Sequence, residues 1–380
     1  MNNKVFHAIA VMTGYIIGVG MFGVPYLAQK SGIIPFLVLL GVLSFVQYFL
    51  HLIFANVIIE TEGRHRLSGY AGVYLGKWGK NLAFLANMTG SLGAMLAYII
   101  VTGIFLNQLL MPYFGDNEFL YANIAFFLQA LIVFFGVGVI ARLEMVMTVL
   151  LFVVIAMITV KGSFHIEPAN YPLVEWKYMF LPFGALLFAV DGLGAMPIIA
   201  DILGEKKDKI KKVIRFGTFI PAAIILIFTL MTIGVTGAET TQDALTGIKN
   251  TIGNGIVVIS LVFGLLVILT SFMVVAEAIK ETLMFDFKFK KLSAWAFAVF
   301  VPYAIYLLGL TDLVKVISFA GAISGGIVAI LLILIFRKME KSKKDLIFFK
   351  HKPGTAMITF LISLFVFGII YEIWFFGFNL

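Results

Sequence analysis

Gly14-Tyr15-Ile16-Ile17-Gly18-Val19-Gly20-Met21-Phe22-Gly23-Val24-Pro25 interrupts an apolar span at the start of the chain. About half a chain later, Phe188-Ala189-Val190-Asp191-Gly192-Leu193-Gly194-Ala195-Met196-Pro197 repeats the interruption. Each stretch has a Gly-x-Gly at mid-span, a Met soon after it and a Pro within a turn or so. Glycine and proline weaken a helix locally, and unwound backbone deep in a bilayer is tolerated only where it lines a site or is buried in protein. Two such spans in corresponding halves point to a transporter binding site.

The rest of the chain supplies the membrane setting. Of 380 residues, 61% are hydrophobic and 13% charged, with a mean hydropathy of +1.05. Soluble chains are about 45–50% apolar and about 25% charged, so the surplus exceeds what one soluble core can hold. A spanning helix needs roughly 20 apolar residues. Eleven such segments are predicted, near 5–28, 33–59, 81–111, 119–140, 143–161, 177–203, 213–236, 253–284, 292–309, 312–337 and 354–378. The first has no small-residue cleavage site after its apolar run and reads as a retained helix rather than a signal peptide. With no cysteine, disulfides, thiolate metal sites and cysteine redox chemistry are excluded.

The net charge of +8 reflects orientation rather than nucleic-acid binding. With the N-terminus in the cytoplasm, every Lys and Arg falls on the inner side except Lys30, Lys161, Lys177, Lys249 and Lys315. This positive-inside bias predicts an N-in, C-out protein of the cell membrane. Loops are short, so one transmembrane domain fills residues 1–380. Its parts are a first repeat at about 5–161, a second at about 177–337 and an accessory helix at about 354–378. Span one then runs outward and span six inward, which makes the halves an inverted-topology repeat with the site at their interface. The Glu60–Lys80 stretch mixes Arg64, Arg66 and Lys77 with Tyr70, Tyr74 and Trp78, a composition that suits a short interfacial helix or an ordinary loop. Trp374-Phe375-Phe376 resembles an aromatic interface anchor.

A break at Gly18–Gly20 frees amide donors for an anion and carbonyl acceptors for a cation. The bland reading makes Gly18, Gly20 and Gly23 a small-residue packing face; the repetition at Gly192–Gly194 favours a functional break. Asp191 is the only carboxylate near the centre of a span. A central Asp costs about 2.5–3.5 kcal/mol on insertion scales, which makes it a candidate to carry a proton or contact a substrate ammonium. It can equally cap the next half-helix. Thr270 and Ser271 on span eight either bond back to their own helix or ligate a cation. Tyr98 on span three can reach a substrate carboxylate or make a structural bond. Gln47 and His51, one turn apart, read as a helix–helix polar contact, with a proton path as the alternative. Glu277, Lys280 and Glu281 read as a solvated helix end or an inner gate.

Ile17 to Pro25 resembles the first-helix motif of the amino acid/polyamine/organocation superfamily. Its Ile-Gly-x-Gly-Met form is closest to the aromatic and hydroxy amino acid permeases and the amino acid/auxin permeases. Leu187 to Gly192 and Thr270-Ser271-Phe272 resemble the motifs of spans six and eight in that group. The resemblance implies an all-α, leucine-transporter-like fold: a 5+5 inverted repeat with helices one and six broken, plus an eleventh helix. It implies secondary transport of an amino acid coupled to Na⁺ or H⁺, with no cofactor beyond that ion. By family pattern, Gly18, Val19, Gly20 and Met21 surround the substrate carboxylate, with Asp191, Gly192, Leu193 and Gly194 opposite and Tyr98 lining the pocket. Gly14, Ile17, Val267, Thr270 and Ser271 form the implied Na⁺ site. Some proton-coupled relatives place a lysine in mid-helix five; here that span has only Arg142 and Glu144 near its start and Lys161 at its end. The expected partners are an amino acid and the bilayer, with no nucleic acid. An amino-acid-binding receptor on the same fold is the alternative, and no enzyme is expected because no catalytic constellation is present.

Overall fold

The computed structural model describes residues 3–63, 65–135, 140–204, 207–252, 254–342, 347–349 and 353–378. Side chains at 140–148 lie outside that description, Arg142 and Glu144 among them. The described residues form fifteen α-helices: α1 (Asn3–Ile16), α2 (Gly20–Ser31), α3 (Ile33–Glu60), α4 (Leu67–Phe114), α5 (Glu118–Phe135), α6 (Ile140–Ser163), α7 (Phe183–Ala189), α8 (Met196–Leu203), α9 (Ile210–Thr236), α10 (Leu245–Ile252), α11 (Asn254–Phe287), α12 (Lys291–Leu307), α13 (Leu313–Phe319), α14 (Gly326–Ser342) and α15 (Thr355–Phe378). Among the described residues, eight single or joined helices are long and apolar enough to cross a membrane. The pair α1/α2, bent by 56°, brings these to nine, and two shorter apolar helices, Val149–Ser163 and Lys291–Leu307, fall where the fifth and ninth of the expected spans lie. The protein is a multi-pass membrane protein.

Three spans are discontinuous. Span one breaks between α1 and α2, and span six between α7 and α8. Span ten carries a wide π-helical turn, Ala320–Gly325, between α13 and α14; such turns occur mostly as single widened turns, frequently at functional sites. The Glu60–Lys80 stretch is helical from Leu67, and Gly76, with φ of 75°, sets residues 67–75 off from the rest of α4. Only glycine adopts that backbone freely.

Packing brings corresponding spans of the two halves together. α1 packs on α8 and α2 on α7, so each half of span one meets the opposite half of span six. Span two meets span seven through α3 and α9, span three meets span eight through α4 and α11, and span four meets span nine through α5 and α12. In the last pair Phe126 stacks on Tyr303 at 3.8 Å, and the Tyr303 hydroxyl bonds to Asn123. Phe22, just past the first break, sits edge-on to Phe105 of α4 and Phe228 of α9, which ties the break into the core. α15 lies outside the paired spans, against α7, α13, α14 and the wide turn. Of the proposed anchor, Trp374 is exposed, whereas Phe375 packs inward on Tyr178 and Tyr371.

Candidate functional site: two helix breaks at mid-span

α1 ends when the Ile17 amide bonds to the Thr13 carbonyl at 3.0 Å. Among the described backbone bonds, Gly18 and Val19 then donate none, and Met21 and Phe22 reach back only three residues, to Gly18 and Val19 at 3.2 Å. Among the described bonds, the Gly14 and Ile17 carbonyls consequently have no helical donor. Pro25 has no N–H to offer the Met21 carbonyl, a further loosening of the same half-helix. Donors and acceptors therefore crowd one short, largely buried segment.

The second break is tidier. The Val190 amide bonds to Leu186 at 3.0 Å, and the Asp191 carboxylate accepts the Leu193 amide at 3.1 Å. Ala195 closes on Gly192 at 3.1 Å, making a tight turn before Pro197 opens α8. Proline suits a first helical turn because its missing N–H would be unpaired there anyway. Asp191 thus ties the turn together through its side chain but does not cap the next half-helix, since α8 begins only at Met196 and has no side-chain cap. The amides of Asp191, Gly192 and Gly194 donate no bond among those described.

Close approach of the breaks explains the glycines. A Cβ on Gly20 would lie 2.7 Å from the Phe188 ring and 3.1 Å from the Ala189 backbone. One on Gly192 would lie 2.9 Å from both Ile16 and the His51 Nε2, and one on Gly194 would collide with the Tyr15 hydroxyl. Gly23 packs on Ile317 in the same way. Gly18 differs, because nothing lies within 4 Å of where its side chain would be. The packing-face reading therefore holds for Gly20 and Gly23, and Gly18 alone faces open space.

The remaining candidates are more scattered. Val19, Met21 and Leu193 are buried at the breaks. Tyr98 is buried on α4, and Phe105 of the same helix, two turns further on, meets the first break through Phe22. Gly90 and Gly93, which precede Tyr98, pack on Ser324 and Ala320 of the wide turn. On α11 the Thr270 hydroxyl donates to the Val267 carbonyl at 2.9 Å, so two of the five implied cation ligands satisfy each other. α1 and α11 both pack on α6, which places Gly14 and Ile17 on one neighbour of that helix and Val267, Thr270 and Ser271 on the other. Lys280 pairs with Glu277, and Glu281 pairs with Arg66 at 2.9 Å, which joins the end of span eight to the start of α4.

Three neighbours of the breaks carried no decisive signal in the sequence: Tyr15, Phe188 and His51. His51 makes the expected helix–helix contact, with Nδ1 3.0 Å from the Thr218 hydroxyl. Its Nε2 has no partner and abuts Gly192. The 237–252 segment comes against α2 where its Gln242 carbonyl approaches Gly23. Asp243 there accepts the Thr246 amide at 3.0 Å and hydroxyl at 2.7 Å. Burial pushes its carboxyl above the usual range, against the opposing pull of bonds from Thr246 and Thr241.

The chain is similar over 97% of its length to the structure of Mhp1, a nucleobase-cation-symport-1 family transporter in a closed conformation with bromovinylhydantoin bound. The match covers 90% of that chain at a TM-score of 0.61 and 14% identity, which establishes the leucine-transporter-like 5+5 fold with an appended helix. No curated protein sequence matches. The tryptophan/tyrosine permease family model matches residues 1–373, in agreement with the motif resemblance in spans one, six and eight. The chain belongs to the tryptophan/tyrosine permease family.

Proposed function

We propose that this protein is a secondary active symporter of an amino acid with an aromatic side chain, driven by Na⁺ or H⁺ and working by alternating access in the cell membrane, N-terminus inside and C-terminus outside. One observation carries the reading: two unwound segments from opposite halves meet at mid-span, one with free amides beside open space at Gly18. A substrate carboxylate fits the Gly18 and Val19 amides at the positive end of α2, with Gly20 and Met21 completing that wall. Asp191, Gly192, Leu193 and Gly194 form the opposite wall, and Tyr98 borders the pocket. The unpaired Gly14 and Ile17 carbonyls support their place in a cation site. Val267, Thr270 and Ser271 complete it from α11; the Thr270 hydroxyl, which donates its proton to the Val267 carbonyl, keeps its lone pairs for a cation. The aromatic class comes from the family description.

The test is uptake of labelled tryptophan, tyrosine and a panel of other amino acids into proteoliposomes, under imposed Na⁺ and pH gradients separately. Gradient-driven accumulation of an aromatic amino acid is the expected result. Saturable binding without accumulation of any amino acid under either gradient would sink the transporter reading in favour of a receptor.

A further inference from the structure

The accessory helix contains a carboxylate that the two-break site does not use. Glu372 on α15 has no exposed surface, and neither oxygen has a hydrogen-bond partner. It forms no ion pair among the described residues. The carboxyl reaches the backbone of α7, where a Cβ on Gly184 would lie 2.8 Å from Oε1. The same point falls against the Ser318 carbonyl of α13. The Ser318 hydroxyl lies beside the carboxyl, outside hydrogen-bond geometry, and is itself unpartnered.

Among the described residues, no cation neutralises this group. α7 and the wide turn carry no titratable residue, and α13 carries Lys315, one turn before Ser318. From the chain preceding α7, Lys177 sits over the Tyr178 ring, and Tyr178 reaches α15 through Phe375. Tyr371, next in sequence, has a buried unpartnered hydroxyl. On α14, Arg337 bonds Glu340 and Thr355 at the far end of α15, about 25 Å along the helix; Lys338 and Lys341 share that end. An ionised carboxylate with neither water nor counter-charge is strongly disfavoured inside a membrane protein.

We propose that Glu372 is a proton-binding site: it holds a proton while α7 is packed on α15 and releases it when α7 swings away and water enters. The proton leaves the carboxyl oxygen for that water and returns before the contact re-forms. The link to the breaks is short. α7 spans only seven residues and runs directly into Val190 and Asp191, and its Phe188 lies against both Gly20 and Gly321. The coupling role rests on the symporter reading; the proton itself does not.

The test uses the full-length protein in lipid and infrared spectra of the neutral-carboxyl C=O stretch at pH 7. Glu372→Gln should remove one such band that the wild type shows, Glu372→Asp should shift it, and Asp191→Asn should leave it in place. Identical spectra for wild type and Glu372→Gln would overturn the proposal. A band that disappears on adding Na⁺ at constant pH would also overturn it, by showing a metal-cation site. In proteoliposomes Glu372→Gln should lose pH-driven accumulation and keep counterflow exchange, with Glu372→Asp restoring part of the pH response. If the wild type transports nothing, the symporter reading fails while the infrared result still decides the proton site.

Discussion

The two breaks share a sequence pattern and differ in what surrounds them. Around α1/α2 the backbone is underbonded and Gly18 borders open space. Around α7/α8 an aspartate ties the turn together, and both glycines are pressed against Tyr15, Ile16 and His51. One interruption leaves groups free for a ligand; the other spends its freedom on close packing against its counterpart. A Gly-x-Gly in a membrane span thus marks unwound backbone, and its neighbours decide whether that backbone binds or packs.

The largest expected effect comes from exchanging these roles. Gly20→Val forces side-chain atoms into Phe188 and the Ala189 backbone; overpacking costs about 1–3 kcal/mol, equivalent to about five- to 150-fold in an equilibrium. Gly18→Ala meets nothing and should leave the thermal midpoint unchanged while weakening substrate affinity. Equal loss of stability in both variants would erase the distinction between an open and a packed glycine.

Asp191 separates the breaks chemically. If it carries a coupling proton, Asp191→Asn abolishes pH-driven accumulation and retains counterflow, because an amide can still accept the Leu193 bond but cannot titrate. Unchanged pH coupling would leave Asp191 a turn tie only. A third experiment addresses the cation face of the first break. The Thr270→Ala/Ser271→Ala double variant should abolish Na⁺ stimulation of uptake; unaltered stimulation would remove both hydroxyls from the cation site.

The smallest effect concerns the segment against α2. Burial raises the Asp243 pKa in the folded protein above its unfolded value. The protonated form is therefore favoured by folding, and this contribution is greatest at low pH and is lost as pH rises through the folded pKa. Asp243→Asn should flatten that part of the pH profile of the thermal midpoint. Asp243→Ala should also lose the Thr246 cap, at about 1 kcal/mol. An identical profile in Asp243→Asn would exclude the carboxyl as its source.

Much of the frame was legible because a bilayer imposes its own grammar. Apolar runs, Gly/Pro interruptions and the placement of five lysines suffice to predict eleven spans and two opposed breaks. The site was less legible wherever partners are distant in sequence. Thr270 had two chemically sound readings, and only coordinates show its hydroxyl on Val267. Glu372 stands among aromatic residues near a helix end, with no partner in its own span to mark it; Gly184 and Ser318, which bury it, come from other spans. His51 announced a polar contact, but nothing in its own helix pointed to Gly192.

The meeting of Gly184 with Gly321 has a mechanical consequence. A Cβ on Gly321 would collide with the Gly184 carbonyl, so α7 and the wide turn touch backbone to backbone. A joint with no side chains has no rotamers through which to yield, and it shears as a unit or parts altogether. The first half of span six and the middle of span ten should therefore travel as one rigid block. Spin labels on the two segments would keep a fixed separation across substrate and ion conditions, and a changing separation would reveal a hinge in its place.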